Sequence, residues 1–222
     1  MIVETRAIAP FFKNGFVLGC EETLEAVIVD PGDEVEELLG ILTRLGLEAR
    51  HILLTHAHLD HITGVAAAKR ALGVPVWLHH DDNFLYEAVV QQGLMFGFRV
   101  EPQPKVDQFY AAEQRIAFGK YEISVHHTPG HCPGGVCLAV NGLSGTRGPT
   151  DKTTLFAGDT LFAGSIGRTD LPGGDLDTLL RSIREVLFKF HDDTQVHSGH
   201  GDVTTIGREK RTNPFLNPNS RP

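Results

Sequence analysis

The chain has 222 residues, a hydrophobic fraction of 41%, a charged fraction of 22% and a formal net charge of −8. This composition is typical of one large or two small globular domains and excludes a largely disordered chain. The acidic balance argues against a nucleic-acid partner, which would favour clustered Lys and Arg, and no apolar stretch approaches the length of a membrane span.

Short strands and helices alternate along the chain. In chain order, strands are predicted over residues 16–18, 26–29, 51–54 and 74–78, in pairs within 115–127 and 134–140, and over 153–157 and 195–197. Helices are predicted over about 34–45, through 66–72, over part of 81–98 and over 176–190. Asp33 is the predicted N-cap of the first helix, and Gly46 and Gly73 are predicted to end the first two helices. Residues 141–152 are rich in Gly, Ser, Thr and Pro and are expected to form a surface loop.

The strand–helix alternation contains no internal repeat and no clear linker. We therefore expect one layered α/β domain over residues 1–222. The three cysteines, at positions 20, 132 and 137, form no C-x-x-C pair, and no basic run followed by an apolar segment opens the chain. These features predict a cytoplasmic protein without a secretory signal.

Seven residues have the types and spacing of a metal site. The string HAHLDH packs four candidate ligands into six residues, and three single candidates follow at wide intervals, each beside a glycine and just after a predicted strand. The candidates are His56, His58, Asp60, His61, His131, Asp159 and His200. Imidazole suits zinc, iron and related metals, and a carboxylate can bridge two of them. Chance rarely places four ligand types so closely, so the pattern predicts a two-metal site.

We assign these candidates to two metals. Residues two apart in an extended segment point the same way, so His56 and His58 are expected to converge on one metal together with His131. Asp60, His61 and His200 are assigned to a second metal, and Asp159 is the expected bridge. Two metals about 3.5–4 Å apart can orient a hydroxide and polarise a carbonyl together. Asp60, as a ligand of the second metal, is therefore also the predicted catalytic residue.

Several neighbouring residues have two interpretations. Asp30 is either an acceptor for a ligand or a simple turn residue. Cys132 is either a thiolate ligand or, as we favour, a small packing residue. His126, His127 and His197 lie near the ligand loops and could support ligands by hydrogen bonding, although ordinary packing is favoured for them. A purely structural metal site is disfavoured, because such sites are usually closed and Cys-rich.

The motifs resemble those of the metallo-β-lactamase superfamily. The likeness is carried by LLTHAHLDH at 53–61, TPGH at 128–131, GDTLF at 158–162 and GHG at 199–201. Within that superfamily the chain is most similar to small single-domain relatives of glyoxalase II, the hydroxyacylglutathione hydrolases. The segments GRTD at 167–170 and TIGREKRTNPF at 205–215 add to that likeness.

The resemblance implies a four-layer αβ/βα sandwich, without the C-terminal helical domain of full-length glyoxalase II. It also implies the ligand roles assigned above and hydrolysis of thioesters of the S-2-hydroxyacylglutathione type by a metal-bound hydroxide. The cofactors implied are two divalent metal ions, zinc first, with iron or manganese as alternatives. Arg168 is a candidate for binding a substrate carboxylate, or else forms an ion pair with Asp170. The expected partner is a small thioester; the oligomeric state is not predicted.

The same resemblance leaves a second function open. Persulfide dioxygenases share this fold and use one iron, held by residues that match His56, His131 and Asp159. All seven candidate ligands are present here, so the ligand set does not separate that function from thioester hydrolysis. Hydrolysis of β-lactams is less favoured, because lactamases vary several of these positions.

Overall fold

The computed structural model describes residues 1–142 and 153–217. Within those residues the strands form two six-stranded sheets and one short hairpin. The first sheet has the order β1 (Ile2–Arg6), β2 (Gly15–Gly19), β3 (Glu25–Val29), β4 (Glu48–Leu53), β5 (Val76–Leu78) and β6 (Gln108–Phe109). The second sheet has the order β14 (Thr204–Thr205), β13 (Gln195–Ser198), β10 (Thr154–Gly158), β9 (Val136–Gly142), β8 (Tyr121–His127) and β7 (Arg115–Phe118). The hairpin pairs β11 (Leu161–Phe162) with β12 (Ser165–Ile166).

The helices lie on the outer faces of the two sheets. The α-helices are α1 (Val35–Leu45), α2 (Leu59–Ile62), α3 (Val65–Leu72), α4 (Asn83–Glu87), α5 (Val89–Met95), α6 (Leu176–Glu185) and α7 (Ile206–Thr212). Helix α1 packs on the outer face of the first sheet, where Leu38 and Ile41 meet Val17 and Ile28. Helices α3, α4 and α5 cover β4 and β5, and α6 and α7 cover β9, β10 and β13.

A shared apolar core joins the two sheets. Alternate side chains of β2 and β3, such as Phe16 and Val27, face Phe118, Leu138 and Phe156 of the second sheet. This alternation follows from the two-residue period of a strand, which gives each sheet one face for the partner sheet and one for the helices. The order helix, sheet, sheet, helix is the four-layer α/β sandwich expected from the sequence, and the fold prediction is confirmed.

Most predicted elements are present, with corrected boundaries. The Asp33 cap was wrong: Glu34 occupies the N-cap position of α1, without a capping side-chain bond, and the Asp33 carboxylate instead accepts a hydrogen bond from Thr63 Oγ1 at 2.7 Å. Gly46 and Gly73 end α1 and α3 in left-handed conformations, as predicted. The helix predicted over 176–190 ends at Glu185 and continues only as a 3₁₀ turn. Of the predicted loop 141–152, the first two residues belong to β9, and residues 143–152 lie outside the described residues.

The strand ends position the candidate ligands. Strand β4 ends three residues before His56, β8 ends four before His131, β10 ends one before Asp159, and β13 ends two before His200. These ends meet at one edge of the sandwich, because β10 and β13 run parallel and the sheets pack face to face. The fold therefore delivers ligands from both sheets to the same edge.

Candidate metal centre

All seven candidate ligands meet at this edge. One group comprises His56, His58 and His131, whose ligand atoms lie within 4.8 Å of one another. A second group, within the same limit, comprises Asp60, His61 and His200. The structure thus brings together the residues that the sequence assigned to each metal.

The first group is almost completely buried. His58 Nδ1 and His131 Nε2 approach to 2.7 Å, and the His56 ring centroid lies 4.9 Å from those of both other imidazoles. His56 and His58 flank Ala57 in one extended segment, and their rings converge. His131 follows β8 of the second sheet.

The second group is more open to solvent. Asp60 Oδ2 lies 3.1 Å from His200 Nε2 and 3.8 Å from His61 Nε2. The His200 side chain is 33% exposed and that of Asp60 17%, whereas His61 is fully buried. A substrate would therefore reach the centre from the side of His200 and Asp60.

Asp159 lies between the two groups. Its Oδ2 is 3.6 Å from His131 Nε2 in the first group and 3.7 Å from His200 Nε2 in the second. Its Oδ1 is 3.4 Å from His61 Nε2. This carboxylate thus has one oxygen near both groups, which is the arrangement expected of a bridging ligand.

Unpartnered polar atoms show that the centre fits metal ions. The buried atoms His56 Nε2, His58 Nε2, His61 Nε2 and Asp159 Oδ1 have no hydrogen-bond partner among the described residues. Such atoms are costly to bury unless something else binds them. His and Asp donors in two groups of three, plus a carboxylate between them, fit two first-row divalent ions.

Hydrogen bonds from three of the imidazoles to surrounding residues set the tautomers that metal binding requires. His131 Nδ1 donates to the Arg168 carbonyl at 2.7 Å, and His61 Nδ1 donates to the Asp30 carboxylate at 3.0 Å. Thr55 Oγ1 gives its proton to Asp30 and therefore accepts from His56 Nδ1. In each case the proton is on Nδ1, so the lone pair of Nε2 is free for a metal.

When no metal is present, the charged groups within the centre shift one another's pKa. Burial lowers the pKa of His61, but the carboxylates of Asp60 and Asp159 outweigh burial and raise it to about 10. Burial and the neighbouring His131 lower the pKa of His58 to about 3. Burial alone would raise the pKa of Asp159, yet His61 holds it below its usual range. A protonated His61 is thus the cation that compensates the carboxylates, a role that a divalent ion can take.

Asp30 and Asp82 accept hydrogen bonds from the segments that carry the ligands. Asp30 accepts from Thr55 N at 2.6 Å as well as from His61, so of its two interpretations the ligand-supporting one agrees with the structure. Asp82 was missed from the sequence. It is buried and accepts from Ala57 N at 3.0 Å and from Gly134 N at 2.6 Å, which ties the HAHLDH string to the loop that carries His131. No sequence motif marks Asp82, because its partners are distant in the chain.

Cys132 is a packing residue rather than a ligand. Its thiol donates to Asp82 Oδ2 at 3.1 Å, and burial holds its pKa well above the usual range, so it stays protonated. All three cysteines are buried and free, and the cytoplasmic location that their sparseness suggested stays a prediction.

The remaining histidines lie outside the seven-ligand centre. His126 contacts Phe190, His197 stacks on Phe156, and His127 stacks on His79. His79 Nδ1 accepts from Asp81 N and so caps a 3₁₀ turn. The packing interpretation therefore agrees with the structure for His126 and His197. His127 is exposed, and its Nε2 lies 2.8 Å from the Pro133 carbonyl in the loop that carries His131, so for this ring the hydrogen-bonding interpretation agrees instead.

Arg168 forms the ion pair that the sequence offered as an alternative. Its guanidinium donates two hydrogen bonds of 2.7 Å to the Asp170 carboxylate. Its backbone carbonyl, not its side chain, contacts the metal centre through His131.

No helix in the two described stretches of chain is both long and apolar enough to cross a bilayer.

Comparison with known proteins agrees with this geometry. Residues 10–200 match the Metallo-beta-lactamase superfamily. The hydroxyacylglutathione hydrolase GloC of Haemophilus influenzae is 37% identical over 222 residues, covering 99% of this chain and 100% of that protein. The crystal structure of BLEG-1, described as a B3 metallo-beta-lactamase, superposes with a TM-score of 0.84 at 38% identity, covering 97% of this chain and 99% of that one. The protein TTHA1623 in a di-iron-bound form gives a TM-score of 0.82 at 38% identity, covering 96% and 100%.

Proposed function

This chain belongs to the metallo-β-lactamase superfamily, and we propose that it is a metal-dependent hydrolase that cleaves thioesters of the S-2-hydroxyacylglutathione type. The observation that carries the proposal is the pair of three-residue groups, which lie on either side of Asp159 and contain buried nitrogens without a hydrogen-bond partner. The full-length similarity to a hydroxyacylglutathione hydrolase supports the substrate class.

The seven residues would divide the metal binding as follows. His56, His58 and His131 would hold the first ion, and Asp60, His61 and His200 the second, with Asp159 shared. When bound, the two ions lower the pKa of a coordinated water and polarise the substrate carbonyl. We propose zinc as the first choice of metal, with iron or manganese as alternatives.

The protein residues would orient the ions and the substrate rather than transfer protons. Asp30 and the Arg168 carbonyl fix the rings of His61 and His131, so the metal-binding lone pairs need no reorganisation during turnover. The leaving thiolate comes from a thiol with a pKa near 8.5, so its departure requires no dedicated acid. Thioester chemistry thus needs little beyond the metal centre itself.

The mouth of the centre has an apolar border. The Phe162 ring centroid lies 6.2 Å from that of His200, the most exposed of the seven ligands. Phe12 is exposed and precedes Lys13, which forms an isolated β-bridge with His200. We propose that these two rings contact the acyl or thiol part of the substrate. Carboxylate binding by Arg168 would require the substrate to displace Asp170 from its guanidinium.

Three assays, each run on zinc-loaded and on iron-loaded protein, test the proposed function. We expect loss of S-D-lactoylglutathione absorbance, no oxygen uptake with glutathione persulfide, and no hydrolysis of a chromogenic cephalosporin. Oxygen uptake by protein that contains one iron would replace the proposal with the persulfide dioxygenase function. Cephalosporin hydrolysis without thioester hydrolysis would replace it with β-lactam cleavage.

A further inference from the structure

A buried ion pair lies directly behind the second ligand group. Lys13 Nζ and Glu34 Oε1 are 2.5 Å apart, and the two side chains are only 1% and 2% exposed. In the other Lys and Arg ion pairs of the described chain the cationic side chain is at least 26% exposed. Burying both charges costs desolvation energy and gives little net stability, so this pair suggests a function other than stabilising the fold.

The lysine side of the pair holds the turn that carries His200. Lys13 and His200 form an isolated antiparallel bridge. The next residue, Asn14, donates from its backbone N to the Gly199 carbonyl at 2.7 Å. Its side-chain Nδ2 donates to the carbonyls of Ser198 and Gly201, both at 3.0 Å. The turn at His200 is thus bound on both sides by two consecutive residues.

The glutamate side of the pair holds the turn that supports Asp60 and His61. Glu34 Oε1 accepts from Gly32 N at 3.0 Å, and Lys13 Nζ also donates to the Asp30 carbonyl. The Asp30 carboxylate in turn accepts from His61 Nδ1. Gly32 packs so closely on the Asp60 carbonyl that a Cβ at position 32 would lie 2.1 Å from that oxygen.

We infer that the Lys13–Glu34 ion pair and Asn14 are positioning residues for Asp60, His61 and His200, and so determine whether the centre holds one metal or two. The pair connects the turn at Asp30, which supports His61, to the segment at Lys13, which supports His200. The first group has two supports that do not touch the pair, Asp82 and the Arg168 carbonyl. Its one link to Asp30 runs through Thr55 Oγ1, which lies 3.1 Å from His56 Nδ1. The inference rests on the proposed function in so far as the centre must bind metal.

Zinc titration of metal-stripped protein tests this role. We compare the unaltered chain with Asn14→Ala and with the double variant Lys13→Met/Glu34→Gln. Both variants are expected to bind the first zinc with unchanged affinity and the second about 10- to 100-fold more weakly, the usual effect of losing a group that orients a ligand. The matched control is Lys210→Met/Asp192→Asn, which removes an exposed ion pair of 2.8 Å and should leave both affinities unchanged.

The outcomes separate this inference from the proposed function. If the unaltered chain binds no zinc, the proposed function itself fails. If both variants bind two zinc ions as tightly as the unaltered chain, or lose both ions equally, the positioning role is wrong. Circular dichroism and urea unfolding of the metal-stripped proteins show whether each variant folds. Should the double variant fail to fold, Glu34→Gln, whose amide oxygen can still accept from Gly32 N, takes its place as the test of the pair, and Asn14→Ala tests the turn at His200.

Discussion

Replacing Asp60 with alanine is expected to turn a two-metal centre into a one-metal centre. Asp60 is the acidic member of the second ligand group, with its Oδ2 3.1 Å from His200 Nε2 and 3.8 Å from His61 Nε2. Without it, the second ion keeps two imidazoles and a share of Asp159. The first group retains all three of its imidazoles, so bound metal should fall from about two equivalents to about one.

The structure sets the size of the expected effect on catalysis. In metal-free protein the Asp60 carboxylate and a protonated His61, 3.8 Å apart, attract each other by about 4 kcal/mol at an effective dielectric constant near 20, and an ion that takes the place of that proton would lose an attraction of this order without Asp60. Loss of one preorganised electrostatic group typically lowers kcat about 10²- to 10³-fold, or roughly 3–4 kcal/mol. We therefore expect kcat for S-D-lactoylglutathione to fall at least about 10²-fold in Asp60→Ala.

Metal content and kcat are measured on the same preparation of each variant. His200→Ala should behave like Asp60→Ala, since both remove a member of the second group. Asp177→Ala is the matched control, because Asp177 is an exposed aspartate in the first turn of α6. If the metal content of Asp60→Ala is the same as that of the unaltered chain and the variant keeps most of its activity, the reaction does not use the second group. A one-metal mechanism would then be the correct one.

Three further outcomes are expected. Stripping with a strong chelator should abolish turnover and added zinc, manganese or iron should restore it; full activity in metal-free protein would contradict the proposed function. Gly199→Ala should weaken metal binding at least about tenfold, because a Cβ there would lie 2.2 Å from Asp159 Oδ1, whereas Gly40→Ala, with open space around it, should leave binding unchanged. Metal-free protein should be most stable above pH 6.5, as urea unfolding at several pH values would show. Burial lowers the pKa of His58 to about 3 and also lowers those of His56 and of four histidines outside the centre, so the free energy of unfolding falls as the pH drops below 6.5. The pKa of His61 is raised to about 10, so the free energy of unfolding also falls as the pH approaches 10, and a stability that still rises from pH 8 to pH 10 would refute this balance.

The candidate ligands could be found from sequence because their signal is local. Four of them lie within six residues, and the other three follow predicted strands that end at a glycine-containing turn. Packing the two sheets face to face then places these strand ends, and the ligands that follow them, at the same edge. The same reasoning gave one layered α/β domain, since strand and helix periods were readable in β3, β4, α1 and α6. The four-layer sandwich was an expectation from the resemblance of the ligand motifs to those of a known superfamily.

The supporting residues could not be found in this way because their partners are remote. Asn14 bonds to Ser198 across 184 positions, and Asp82 bonds to Gly134 across 52. In the sequence Lys13 and Glu34 resemble ordinary surface charges, which is what most such residues are. Only the packed structure shows that both are buried and that each touches a turn behind the metal centre.

Helix α7 was missed for a related reason. Its sequence, IGREKRT, is mostly charged and has little apolar periodicity. It contacts the rest of the chain through buried Ile206 and through Glu209, which is fully buried and accepts hydrogen bonds from Gly164 N at 2.9 Å and from Thr204 Oγ1. A buried glutamate in a charged run is indistinguishable from a solvated one until its partners are known. The N-cap Thr205, which accepts from Arg208 N at 3.2 Å, was the one local signal available.

The division of ligands between the two sheets makes the metal centre a property of the whole fold. The loop after β4 in the first sheet and helix α2 together supply four ligands, and loops of the second sheet supply His131, Asp159 and His200. Each three-residue group contains residues from both sheets, so neither group can form until the sheets pack against each other. Metal binding then stabilises the packed sandwich over any state in which the sheets separate, because only the packed state binds tightly. The Lys13–Glu34 pair joins a turn of the first sheet to the segment that forms a bridge with His200 of the second sheet. It thereby maintains the alignment of the two sheets that the second ligand group requires.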